Sequence, residues 1–186
     1  MLLDVGCGVG GVGDVNVDVF REGFNRQIGD QVCGELVNPH NIRNFVVADA
    51  CHLPFRDGVF DVVVSSHVIE HVYFPVLMFS ELCRVASLEV VIRCPHRRGS
   101  GAKRPFHVNY FDESWFSETA KLFGYSSVER VTVFDWCISD RLPFPRYLRG
   151  SLVWRVLKHV ERLVLDPKRG FPSELESRID VVRNRF

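Results

Sequence analysis

The sequence predicts an α/β fold with a doubly wound, mostly parallel sheet, on the strength of three observations. The run Leu2-Leu3-Asp4-Val5 passes straight into a turn holding Gly6, Gly8, Gly10 and Gly11, so a buried strand leads into backbone stripped of Cβ atoms where a ligand can approach. Val59 to Ser65, the most β-branched run in the chain, precedes a helical pattern from Pro75 to Val85 and a further apolar strand from Glu89 to Cys94; strands alternating with helices are the pattern of such a sheet. The third observation is a shortage: no normal helix fits between Gly11 and Asp14, so the helices on one face are reduced.

At 186 residues and 46% hydrophobic, the chain can bury one substantial core. We expect that core in residues 1–135 and a C-terminal extension in 136–186, packed on the core or forming a dimer contact. No apolar run approaches the roughly 20 residues of a membrane span and the start does not look like a signal peptide, so the expected location is cytoplasmic. Cys7, Cys33, Cys51, Cys83, Cys94 and Cys137 are scattered without a C-x-x-C pair, which indicates buried reduced thiols rather than disulfides, and no metal site is expected. Net charge is zero, but residues 1–135 hold 12 Lys+Arg against 17 Asp+Glu and residues 136–186 hold 11 against 6. A neutral whole argues against bulk nucleic-acid binding as the main task, while leaving a local basic surface on the tail.

Asp14 to Val19 alternates polar and apolar residues and reads as a second strand ending in the carboxylate of Asp18. Residues 20–43 show no sustained period and read as an ordered loop. Phe45 to Ala48 is a third strand, closed by Asp49-Ala50. Pro75 suits a first helical position, and Met78-flanking Leu77, Phe79, Leu82 and Val85 give one broad apolar face. The basic, glycine-containing stretch His96 to Arg104 reads as a lid. Asp112 is placed to cap a helix bearing Trp115, Phe116 and Ala120 and stopped by Gly124, and Ser127 to Phe134 is a further strand.

The glycine string by itself satisfies both the dinucleotide pattern G-x-G-x-x-G and a nucleoside-binding loop. Spacing separates them. A dinucleotide fold places its ribose-binding acid about 20 residues beyond the glycines, after a helix, whereas Asp18 follows Gly11 by seven residues. With Asp49-Ala50 and the run Phe60-Asp61-Val62-Val63-Val64-Ser65-Ser66 in order, residues 2–134 resemble class I S-adenosylmethionine-dependent methyltransferases, the group with a G-x-G-x-G loop and an F-D-x-V-x-S strand.

The resemblance implies a Rossmann-like sheet and S-adenosyl-L-methionine as cofactor. By similarity, Asp4 and the backbone of Gly6, Gly8 and Gly10 hold its amino-acid end, and Asp18 accepts both ribose hydroxyls. Asp49 lies near the adenine amino group, Ala50 offers its N–H to the ring, and Ser65 stands beside the methionine moiety. The activity implied is in-line methylation of an O, N or S atom of an unidentified acceptor, a small molecule before a nucleic acid. The alternatives are a non-catalytic interaction module of the same fold and, disfavoured by the Asp18 spacing, an NAD-linked oxidoreductase. His67, His71, His96 and His107 fall near the carboxyl ends of strands, where open α/β sheets bind ligands, and His71 and His107 are the candidate bases.

Residues 151–165 set Leu152, Val156, Leu157, Val160 and Leu163 on one helical face and Arg155, Lys158 and Arg162 on the other. With no helix before the first strand or between the first two, one sheet face is expected to be bare. This amphipathic helix is expected to cover it or to meet its copy in a homodimer, a role preferred to lying on an anionic membrane. Residues 175–185 suit either a helix or the family's last strand.

Overall fold

The computed structural model describes residues 1–8, 10–19, 41–99, 102–104, 106–135 and 171–181. Among the described residues the strands and α-helices follow in the order β1 (Leu2–Val5), β2 (Val15–Asp18), β3 (Phe45–Val47), β4 (Phe60–Ser66), α1 (Pro75–Val85), β5 (Ala86–Pro95), α2 (Glu113–Leu122), β6 (Ser126–Asp135) and β7 (Phe171–Asp180), with a 3-10 turn at Ile69–His71 between β4 and α1. They form one seven-stranded sheet in the order β3-β2-β1-β4-β5-β7-β6, parallel except for β7, which runs antiparallel to both neighbours. The order reverses between β1 and β4, so the crevice at the carboxyl ends of those strands is where this topology leaves room for a ligand.

The expected short return from Gly11 to Asp14 is what the chain does. Asp14 N–H donates to Leu2 O at 2.8 Å, and the Asp14 carboxylate accepts Leu2 N–H at 2.9 Å. Pro75 opens α1, whose Met78, Phe79, Leu82, Cys83 and Val85 are buried. The helix runs directly into β5, three residues earlier than its sequence suggests, because Ala86 pairs with Phe60 across a bulge before Val62 joins Glu89. On β5, Val90, Ile92 and Cys94 share a face with Ile179, Ser177 and Leu175 of β7, all buried. Phe79 of α1 stacks edge-on to Trp115 of α2, with ring centroids 6.2 Å apart, and Trp115 meets Phe111 at 4.7 Å and Phe116 at 4.9 Å.

The opposite face of β5 and β7 is not the apolar surface that a bare face implies. Arg93 donates to Glu176 at 2.7 Å, and Arg178 donates to Glu176 at 2.9 Å and Glu89 at 3.4 Å. Alternation along the two strands puts these four residues on one side, so half of that face satisfies itself with charge. The amphipathic stretch 151–165, and most of the loop from 20 to 43, lie outside the described residues. β7 makes residues 175–180 a strand and begins it at Phe171, while 182–185 lie outside the described residues; part of the C-terminal extension thus completes the core sheet.

Asp112 caps α2 as its position predicts. Its Oδ1 accepts Trp115 N–H at 3.2 Å and the Ser114 hydroxyl at 2.6 Å, and Arg97 donates to Oδ2 at 2.7 Å. Those bonds, the Ser114 hydroxyl first and Arg97 next, hold its carboxyl at about 2. Replacing it (Asp112→Ala) is expected to cost about 0.5–2 kcal/mol, the usual worth of an N-cap. Because the folded-state value lies below the unfolded 3.8, the contribution is complete above pH 4 and fades as pH falls toward 2. Urea titrations at pH 7 and at pH 2.5 check this: the gap between parent and variant should narrow at the lower pH.

Candidate functional site

A cavity of about 430 Å³ opens at the carboxyl ends of β1, β2 and β4, and its lining includes Gly6, Asp18, Asp49, Ala50, His67 and His71. Its size suits a nucleoside-sized ligand. Each of these side chains arrives at a strand end or just beyond it, so the sheet itself positions them. Asp18, last residue of β2, is 6% exposed. Its Oδ2 accepts Gly8 N–H at 2.9 Å and its Oδ1 accepts Val19 N–H at 2.7 Å. Asp49 accepts Cys51 N–H at 2.8 Å, which is the turn-forming role open to any such Asp, while its side chain stays 60% exposed.

Gly6 has φ +78°, and a Cβ there would overlap Val68 Cγ2. Only glycine lets β1 end this close to the segment that roofs the cavity. The amides of Gly6, Cys7, Gly8 and Gly10, however, are not open donors as the sequence suggests. Gly6 and Cys7 N–H both donate to Val17 O, at 2.7 and 3.1 Å, Gly8 N–H goes to Asp18, and Gly10 N–H goes to Cys7 O at 3.3 Å. The physical cause is the missing helix: the loop turns back at once on β2 and its donors close that turn.

Asp4, Gly8, Gly10, Ser65 and His107 are not among the lining residues. The Asp4 carboxylate holds the loop from below, accepting Val12 N–H at 3.0 Å; burial first, and then the charge of Asp18, push its carboxyl up, against the effect of that bond. Two buried carboxylates facing one loop favour a ligand with a cationic end. Ser65 is buried and donates to Val5 O at 2.9 Å, fastening β4 to β1. Burial also raises the Cys7 thiol to about 12, helped by Asp18 and Asp4, so it is no nucleophile at neutral pH.

The histidines divide. His96 is 2% exposed; its Nε2 meets Glu113 at 3.2 Å and its Nδ1 accepts Arg98 N–H at 3.1 Å, which ties the segment after β5 to α2. His67, at φ +57°, turns the chain after β4 and bridges Glu70 at 3.4 Å and Glu174 at 3.1 Å. Glu70 chiefly raises its pKa, against burial. His71 and His107 come together, ring centroids 4.7 Å apart and 81° between planes. His71 Nδ1 lies 3.1 Å from Phe106 O and His107 Nδ1 lies 3.1 Å from Ala102 O. Sequence reasoning missed Val68, Tyr73 and Phe74 as cavity walls, and it gave Glu70, beside His71, no role in the site.

Comparison with known proteins agrees with the fold. Residues 3–94 match the family model described as methyltransferase domain. The tocopherol O-methyltransferase of Arabidopsis thaliana is 27% identical over 84% of this chain and 51% of its own length. The tRNA (carboxymethyluridine(34)-5-O)-methyltransferase of Xenopus tropicalis is 35% identical over all of this chain and 29% of its own. A solved SAM-dependent methyltransferase from Archaeoglobus fulgidus superposes with a TM-score of 0.58 at 17% identity, covering 96% of this chain and 85% of that one. The chain belongs to the class I S-adenosylmethionine-dependent methyltransferase family. It spans about half or less of the length of these curated relatives. Their names cover small-molecule and tRNA acceptors, so zero net charge, which weighs only against bulk electrostatic binding, does not choose between those classes. No helix among the described residues is long and apolar enough to cross a membrane.

Proposed function

We propose that the chain binds S-adenosyl-L-methionine in the cavity at the β1–β4 crevice and transfers its methyl group in line to an oxygen, nitrogen or sulfur atom of a small acceptor. The observation that carries this reading is the convergence of Gly6, Asp18, Asp49, Ala50 and His71 on one cavity. When bound, the cofactor supplies a methyl on a positively charged sulfur, whose departure needs no acid.

The protein's task is therefore alignment and proton handling. Asp18, acceptor-only, takes the ribose hydroxyls, and Asp49 with Ala50 flanks the base. Since the loop amides are engaged, Asp18 and the apolar walls contributed by Val68 and Phe74 supply more of the affinity than the glycine loop does. His71 lines the cavity on the acceptor's side and His107 packs against it; their Nδ1 atoms are held by backbone carbonyls, which leaves Nε2 of each ring as the electron-pair donor. An apolar, exposed rim of Tyr73, Phe74 and Leu77 continues outward from the cavity and supports an acceptor with an apolar body.

The test is calorimetry of the purified chain with S-adenosylhomocysteine and with NAD. Micromolar binding of the first alone is expected. Binding of NAD alone would select the oxidoreductase reading, and binding of neither would select a non-catalytic module.

A further inference from the structure

Glu70 stands out as a buried carboxylate that the methyl-transfer reading does not use. Its residue is 1% exposed, and neither carboxylate oxygen has a hydrogen-bond partner. Among the described residues its ion-pair partner is His67 Nδ1, at 3.4 Å from Oε1, a distance beyond good hydrogen-bond geometry, and His67 also turns Nε2 to Glu174. A buried carboxylate left in this condition costs several kcal/mol unless something positive meets it.

Two imidazoles are beside it. One potential ligand atom from each of Glu70, His71 and His107 falls in a group with no separation above 4.8 Å. Ligand atoms about 2.1 Å from a shared ion stand at most about 4.2 Å apart, so the group closes on an ion with side-chain movements of a fraction of an ångström. The surroundings hold the ligands in the form a metal needs. Phe106 O and Ala102 O take the Nδ1 protons of the two rings, the outer contact that fixes the tautomer of a ligating histidine and leaves Nε2 for the ion. Glu70 O accepts both Val108 and Asn109 N–H, at 2.9 and 3.2 Å, and Asn109 donates to Val72 O at 2.5 Å, so the segment carrying His107 is laced to the turn carrying Glu70 and His71.

We propose that Glu70, His71 and His107 form a binding site for a divalent first-row transition-metal ion at the edge of the cavity. Two imidazoles and one carboxylate favour such an ion over Mg²⁺ or Ca²⁺, which prefer all-oxygen sets. Three protein ligands leave at least one coordination position open, and His71 places that position on the cavity. Resting on the methyltransferase reading, the ion would bind the acceptor's hydroxyl oxygen and draw down its pKa, so that the proton leaves to water and the oxygen takes the methyl, with both histidines serving as ligands and neither as the base.

The test titrates the full, chelator-treated chain with Zn²⁺ by calorimetry, repeats it with Mg²⁺, and records visible absorption with Co²⁺. One Zn²⁺ per chain is expected, with Co²⁺ bands of imidazole ligation and far weaker Mg²⁺ binding. Loss of a direct ligand exceeds the 10–100-fold cost of losing an outer partner, so Glu70→Gln and His107→Gln are each expected to weaken Zn²⁺ by on the order of a hundredfold. His107→Gln, at a half-buried loop position, guards against the case in which Glu70→Gln fails to fold. Absence of Zn²⁺ binding, or binding unchanged in folded His107→Gln, overturns the site. Site-dependent Zn²⁺ binding without S-adenosylhomocysteine binding upholds the metal site and sinks the methyltransferase reading instead.

Discussion

Asp18→Ala is expected to weaken S-adenosylhomocysteine binding by about 2–4 kcal/mol, roughly 30- to 1,000-fold in Kd, because it removes two charge-assisted hydrogen bonds to the ribose. The structure adds a second consequence that its sequence position does not reveal. The same carboxylate accepts Gly8 N–H and Val19 N–H, so the truncation also strands two amides, at about 1–3 kcal/mol for each that stays buried. The apo protein of the variant should therefore melt earlier than the parent. Asp18→Asn separates the two effects, since its amide oxygen still accepts a backbone donor while its charge is gone. An Asp18→Asn protein that binds S-adenosylhomocysteine as tightly as the parent sinks the ribose assignment.

How much of this was legible in the sequence follows from which interactions are local. Pro75, Asp112 and Gly124 punctuate α1 and α2 through backbone rules that act within one turn, and both helices sit where those residues put them. Gly6, Asp18, Asp49 and Ala50 could be found because strand ends in this topology all meet at one edge. The walls could not. Val68, Tyr73 and Phe74 reach the cavity only because His67 adopts φ +57° and folds the chain back after β4, and nothing in a histidine announces that turn. His107 meets His71 across 36 residues, a pairing that depends on Glu70 O receiving the Val108 and Asn109 amides. β7 was ambiguous for a different reason. Leu175 and Ile179 are four apart, a spacing that serves a helix and a strand equally, and Ser177 between them breaks the apolar alternation although it is wholly buried.

Removing residues 171–186 is expected to abolish cooperative folding. β7 is the bridge of the sheet's far half: Glu89 to Pro95 of β5 pair with it on one side and Ser126 to Asp135 of β6 on the other. Without it both strands lose a backbone partner, and unpaired edges of that length promote association between chains. The core also opens, since Leu175 and Ile179 are fully buried against the cluster that holds Phe79, Phe116 and Ile92. A milder version measures the packing alone: Ile179→Ala should cost about 2–5 kcal/mol in urea titration, the range for truncating a buried isoleucine. For the deletion, circular dichroism with a dye for exposed apolar surface is the measurement, and a molten or aggregated product is the expected result. A soluble monomer that melts in one sharp transition and still binds S-adenosylhomocysteine would mean that β5 and β6 close without β7, and that the C-terminal segment is an attachment rather than a part of the core.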